Sequence, residues 1–180
     1  MGAMWEMLVT RLDRTQSVVL TVLVLALAGC NTQSVNSPSA TTADVTEPLN
    51  LLLPSEIQIH PFTGTRSFDR AGGVNGIDVR TKLIDGFGDT TKGFGDFRFE
   101  MYQFRPNSPD PRGPRISTWQ ISLMSAKDNL GHWDNITRTY EFKLQWDKPI
   151  PVGQRFVLVA VFDSPYTERL FAQRVFISGE

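Results

Sequence analysis

Two-residue alternation of apolar and polar side chains, repeated from Glu56 onward, is the feature that most limits the folds open to this chain. Ile57 and Ile59 alternate with Glu56, Gln58 and His60. Ile77, Val79 and Leu83 alternate with Asp78, Arg80 and Lys82. The same pattern runs through Phe97, Phe99 and Met101, through Trp119, Ile121 and Leu123, and through Tyr140, Phe142, Leu144 and Trp146. That period places one face of each segment in a core and the other in water, which is the signature of a half-buried strand. Arg155–Phe162 differs, because Phe156 to Val161 is apolar on both phases. It predicts a central strand covered on both faces. Leu170–Ser178 closes the series with another alternating run.

Between these segments lie turn residues: Gly72-Gly73-Val74-Asn75-Gly76, Gly86-Phe87-Gly88-Asp89, Pro106 to Pro114, Asp147 to Gly153 and Ser164-Pro165. Gly, Pro, Asn and Asp each stop a strand by a backbone preference. No stretch carries a long 3.6-residue stripe, so little or no helix is expected. About seven short strands with turns between them predict an all-β, antiparallel sandwich, with a small barrel as the alternative. Pro54 argues against extending a central strand back through Leu51-Leu52-Leu53. The segment Val79 to Phe99, with Asp85-Gly86-Phe87-Gly88-Asp89 and then Lys92-Gly93, is similar to a hairpin of immunoglobulin-like and carboxypeptidase-regulatory-like modules. That resemblance implies the fold class and no active site.

The first part of the chain reads differently. Arg11 and Arg14 precede an apolar run from Val18 to Leu27. The run is about half of the ~20 residues a membrane-spanning helix needs, and has the length of a secretory signal core. Glu6 and Asp13 sit unusually in its charged region, and Met4 or Met7 offers an alternative start. Leu27-Ala28-Gly29-Cys30 then ends the run, with the only cysteine of the chain. These four residues resemble the lipobox of bacterial lipoprotein precursors. The resemblance implies cleavage between Gly29 and Cys30 and a diacylglycerol, with its palmitate-type chains, on the Cys30 thiol. Two or more acyl chains hold a protein firmly on a membrane, where one gives marginal binding. Asn31 is not the Asp that favours inner-membrane retention in this family. The implied address is therefore the outer membrane, facing the periplasm or the surface.

Residues 1–29 thus read as a lipoprotein signal peptide, 30–50 as the lipidated cysteine and its tether, and 51–180 as the β domain. Asn, Ser, Thr, Pro and Ala dominate the tether, which spans roughly 25 Å as a flexible coil. The formal net charge is −1, and Glu6 and Asp13 cancel Arg11 and Arg14. Such a balance supports no electrostatic attraction to nucleic acid or to anionic lipid headgroups. With Cys30 acylated, no disulfide is available, so the domain must hold itself by its core.

Candidate chemistry is sparse. Asp85, Asp89 and Asp96 flank one Gly-rich stretch and could offer oxygens to Ca²⁺, although the spacing is not that of an EF-hand. Otherwise no metal or cofactor is expected. His60 and His132 are the two histidines, and neither lies in a zinc-binding pair. No Gly-x-Ser-x-Gly elbow is present. A dispersed triad through a histidine, and hence an envelope hydrolase, is the more distant alternative. Trp119 and Trp146 fall on apolar phases and read as core. Tyr102 and Phe104 fall on the polar phase of their strand, and Trp133 lies in the loop-like Gly131–Asn135. These three are the candidate ligand contacts, with rings suited to stacking on a glycan such as peptidoglycan. The expected function is that of a lipid-anchored, non-catalytic module of the cell envelope that engages an envelope protein or glycan.

Overall fold

A computed structural model describes residues 49–68 and 74–179. Gly29, Cys30, the signal segment and the tether through residue 48 lie outside the described residues. A short 3-10 turn (Leu49–Leu52) leads into β1 (Pro54–Ile59), β2 (Gly64–Arg66), β3 (Gly76–Asp85), β4 (Thr90–Thr91), β5 (Asp96–Phe104) and β6 (Arg112–Ser122). A helix, α1 (Ala126–His132), then precedes β7 (Trp133–Asp134), β8 (Thr139–Gln145), β9 (Arg155–Asp163) and β10 (Leu170–Ile177). The six alternating segments of the sequence and the doubly apolar Arg155–Phe162 are the seven long strands. β2, β4 and β7 are two- or three-residue additions.

The strands form two antiparallel sheets, ordered β1-β3-β8-β7 and β10-β9-β5-β6, with β2 and β4 also paired to β3. The order is that of an immunoglobulin-like sandwich, A-B-E-D against G-F-C-C′. β3 is the spine of the first sheet. β1 pairs its C-terminal half and β2 its N-terminal half, while β8 and β4 share its other edge. Pro54 opens β1, an edge strand, where its missing N–H leaves no ladder bond broken. The segment Val79 to Phe99 is not one hairpin. Asp85–Asp89 turns β3 into the two-residue β4, and the chain then crosses at Lys92–Gly95 so that β5 joins the second sheet.

Phe97 sits at the centre of the core, its ring 4.9 Å from Phe142, 4.9 Å from Phe162, 5.6 Å from Phe99 and 5.8 Å from Tyr140. These rings come from both sheets and replace the disulfide that pins many immunoglobulin domains. The crossover must run close beneath them. A Cβ on Gly93 would lie 2.8 Å from both Leu83 and Phe162, and one on Gly95 would collide with the Asp163 carbonyl oxygen.

A buried polar hub fixes that crossover. Gly93 N–H donates to the Tyr140 hydroxyl (3.1 Å), which donates to Asn129 Oδ1 (2.9 Å). Asn129 Nδ2 in turn donates to the carbonyls of Gly93 (2.6 Å) and Leu123 (3.3 Å). Asn129 is carried by α1, whose N-cap Ser125 accepts from Asp128 N–H. At the sandwich edge, Trp119 of β6 donates its indole N–H to Gln145 C=O of β8 (2.6 Å), joining the sheets. His132 Nδ1 lies 2.9 Å from Glu141 C=O of the same strand. Both contacts fall on alternate residues of β8, on the edge turned away from β3. They therefore occupy groups that would otherwise template aggregation.

Two expectations change here. β9 is an interior strand with Val157, Val159 and Val161 buried, but among the described residues no second layer covers its outer face. Tyr102 and Phe104 of the neighbouring strand lean over it instead. The loop expected around Trp133 is the end of α1 followed by β7. A seven-residue helix is too short to show a 3.6-residue stripe.

Asn129→Leu keeps the side-chain volume but strips partners from Gly93, Tyr140 and Leu123. It is expected to cost about 2–4 kcal/mol, read by urea unfolding. Gly95→Ala should cost about 1–3 kcal/mol in the same assay, because a backbone carbonyl cannot step aside as a side chain can.

Candidate functional surface

The two outer faces of the sandwich differ in kind. On the first sheet, outward residues are charged and paired: Arg80 meets Glu141 at 2.7 Å and Arg66 meets Asp78 at 3.6 Å. On the second sheet, the outward row of β9 is Val157, Val159 and Val161. The register brings Tyr102, Glu100 and Arg98 of β5 beside them in that order, and Val175, Gln173 and Phe171 of β10 on the other side. Phe171 is 64% exposed. A floor of buried valines with aromatic and guanidinium groups around it is thus the most contact-like surface of the domain.

Glu100 organises the polar part. Its carboxylate accepts from the Tyr102 hydroxyl (2.6 Å) and faces Arg98 Nε (3.3 Å) and Arg115 Nη1 (3.5 Å). The hydrogen bond to Glu100, then burial, raises the Tyr102 pKa, so the phenol keeps its proton. Further along, Arg112 forks onto Asp110 through Nε and Nη2, each at 2.9 Å. That hydrogen bond lowers the Asp110 pKa and raises that of Arg112. The Arg155 guanidinium lies 5.5 Å from the Phe104 ring centre. Toward the Phe104 end of the face, Arg112, Arg115 and Arg155 therefore stand against Glu100 and Asp110, while Asp96 and Asp163, opposite each other in register, occupy the other end beside Arg98. Guanidinium forks suit carboxylate and phosphate groups. Arg112, Arg115 and Arg155 are exposed, so these guanidinium groups are accessible.

Tyr102 and Phe104 share this face, half-buried against the valines. Trp133 does not join them. It belongs to β7 in the other sheet, half-buried, with its ring 5.0 Å from Tyr140 and Lys92 Nζ 4.6 Å above it. The expected three-residue strip is therefore a pair on one sheet and a separate ring on the other. Trp119 and Trp146 are half-buried and pack against the core.

The aspartates do not converge. Asp85 is buried and caps its own turn, its Oδ1 accepting from Phe87 and Asp89 N–H at 3.0 Å each. Asp96 starts β5 in the second sheet. Among the described residues, no group of three His, Cys, Asp or Glu side chains is placed to hold a metal ion. The histidines are held by backbone: His60 Nδ1 accepts from Phe62 N–H at 3.3 Å, and His132 lies against Glu141 C=O. Sequence reasoning passed over the arginines because they are scattered over β5, β6 and β9. Only the register reveals them as neighbours. It also passed over α1, whose Ser125-Ala126-Lys127-Asp128 start is a capping pattern.

With this geometry in hand, comparison with known proteins adds no relative: no family model, no curated protein and no solved structure matches the chain.

Burial, then the nearby Lys82, Arg80 and Arg174, lowers the His60 pKa from its ordinary 6.5. A depressed pKa means that the folded state resists protonation. The stability it contributes is complete above 6.5 and is lost as the pH falls through the folded value. His60→Gln should flatten that acid-side loss in denaturation midpoints measured across this window, whereas His132→Gln should not remove it.

Proposed function

We propose that this protein is a lipid-anchored, non-catalytic binding module of the cell envelope, and that its ligand face is the outer face of the β10-β9-β5-β6 sheet. The observation that supports this reading best is the Tyr102–Glu100–Arg115 network on its valine floor, with exposed guanidinium groups gathered at its Phe104 end. A face of that composition recognises a partner bearing carboxylate or phosphate groups, oriented by forked hydrogen bonds and backed by apolar contact. The address rests on Leu27-Ala28-Gly29-Cys30 and the tether after it. The acyl chains would hold the module at the outer membrane while residues 31–48 give it reach.

An anionic glycan fits as the ligand class, in keeping with Tyr102 and Phe104 beside the arginines. Rings set among guanidinium groups can receive a sugar face and its acid together. Both rings are half-buried, so they would contribute edges and part of a face rather than open platforms.

Two measurements test the reading. Intact mass and detergent partitioning of the protein from its host should give a chain cut before Cys30 and carrying two or three acyl chains. Cys30→Ala should be unprocessed and unlipidated. Titration with soluble muropeptides, which carry carboxylates, should perturb the resonances of Tyr102 and Phe104, with a neutral oligosaccharide as control. Arg115→Ala should weaken muropeptide binding about tenfold, the effect of ~1.4 kcal/mol. Binding that is indifferent to Arg112 and Arg115 would remove this face from consideration.

A further inference from the structure

The end of the sandwich from which the chain runs back to the tether carries an unusual collection of exposed apolar tips. Leu51 and Leu52 stand before β1, Phe87 on the β3–β4 turn, Phe94 on the crossover, Met124 after β6 and Ile136 on the β7–β8 turn. Their exposures are 41%, 54%, 64%, 48%, 50% and 92% respectively. Leu49 and, in the β9–β10 loop, Tyr166 are exposed at this end too, and Leu130 on α1. Elsewhere among the described residues, Phe62 and Val152 are exposed at the far end, and Phe171 and Val175 on the sheet face.

Cross-links place these tips side by side. Gly86 N–H donates to Leu51 C=O (2.8 Å), tying the β3–β4 turn to the entry segment. Arg138 Nη2 donates to Thr90 C=O (3.0 Å), tying the β7–β8 turn to β4. Leu123 N–H donates to Gly95 C=O (2.8 Å), and Asn129 holds Gly93 from α1. The tips are therefore held on a hydrogen-bonded frame, so contact through them orders few new groups.

We propose that this end rests on the lipid leaflet that carries the Cys30 anchor, with Phe87, Phe94, Met124 and Ile136 dipping into its interface. The inference builds on the lipoprotein reading above. Residues 31–48 join the domain at Leu49, on this end, and fully extended they reach no further than roughly 60 Å from the acylated cysteine. A tether of that length keeps these tips at high effective concentration near the bilayer, so weak insertion suffices. Single apolar side chains on separate turns suit an interface where acyl chains flow around each one. A folded partner would demand a continuous complementary face. Charge at this end leans negative: Asp89, Asp96, Asp128, Asp134, Asp163 and Glu168 outnumber Lys92, Lys127, Arg138 and Arg169, with Asp163 paired to Arg169. Contact is therefore driven by apolar burial and draws no attraction from anionic lipid. The guanidinium-lined end of the opposite sheet face, around Phe104 and Arg112, then points away from the membrane.

The lone cysteine makes a direct test available. With Cys30 acylated, a cysteine introduced by Phe94→Cys, Ile136→Cys or, at the far end, Val152→Cys becomes the only reactive thiol. Each full-length lipidated protein is labelled with an environment-sensitive fluorophore. It is then reconstituted into phosphatidylethanolamine/phosphatidylglycerol vesicles, with and without lipids bearing a nitroxide on the acyl chain. The labels at 94 and 136 should brighten several-fold, shift to the blue and be quenched by the nitroxide. The label at 152 should do none of these, and high salt or exchange of the anionic lipid for phosphatidylcholine should leave the signals at 94 and 136 undiminished. Water-like emission at 94 and 136 on a chain whose mass shows the acylated Cys30 overturns the membrane-resting face while leaving the anchor in place. A blue shift that depends on protein concentration and escapes the nitroxide overturns it in favour of a second copy. A mass without acyl chains overturns the anchor, and this inference with it.

Discussion

Everything in the domain depends on how the chain crosses from one sheet to the other after β4. Lys92–Gly95 must pass close against the Phe162 ring, where there is no room for a Cβ on Gly93 or Gly95. A backbone segment buried in this way brings polar groups out of water, and each needs a partner. Tyr140 and Asn129 supply the partners for Gly93. The hub is thus a condition of the sandwich, since it lets the aromatic cluster close over a backbone that would otherwise be unsatisfied. It also explains α1, a helix too short to persist alone, which exists to deliver Asn129 and is held by that delivery. Burial raises the pKa of Tyr140, so the phenol stays neutral and the network keeps its donors.

The absence of a disulfide in the domain gives this arrangement its weight. The single cysteine lies at residue 30, before the domain begins. The two sheets are joined instead by interleaved rings, by the indole of Trp119 reaching across the edge to Gln145, and by β1 packing beside β10. A side chain that seals an edge and also bridges two layers does two things at once, protecting β8 from strand addition and fixing the sheet separation.

The asymmetry of the outer faces has a physical origin in strand position. β9 is interior to its sheet, so its outward valines are shielded by the long side chains of β5 even without a further layer. β3 is equally interior, yet its outward Asp78, Arg80 and Lys82 are charged, the first two paired with Arg66 and Glu141, leaving that face hydrated. The arginine-rich face, the apolar tips near the tether and the paired face therefore divide the surface into three regions of different chemistry. The readings proposed here follow those divisions: a ligand on the first, a leaflet against the second and water over the third.

By itself the sequence determined the number and type of the long strands, because alternation is local and each strand writes its own burial in its own residues. Phe97, Phe99, Tyr140 and Phe142 were legible as core for that reason, and the proposed address rests on Leu27–Cys30 alone because such a motif is read as linear sequence. Only the tertiary structure decided which residues are neighbours. Val79 to Phe99 read as one hairpin and is a turn plus a crossover. Trp133 read as a partner of Tyr102 and lies on the other sheet. Asp96 read as a companion of Asp85 and Asp89 and starts a strand elsewhere. The arginines of the candidate face, separate in the chain, meet through pairing register. The apolar tips, scattered over five connections, meet at one end because antiparallel strands return there. Side-chain alternation records which way a residue faces, and it carries no information about what stands beside it.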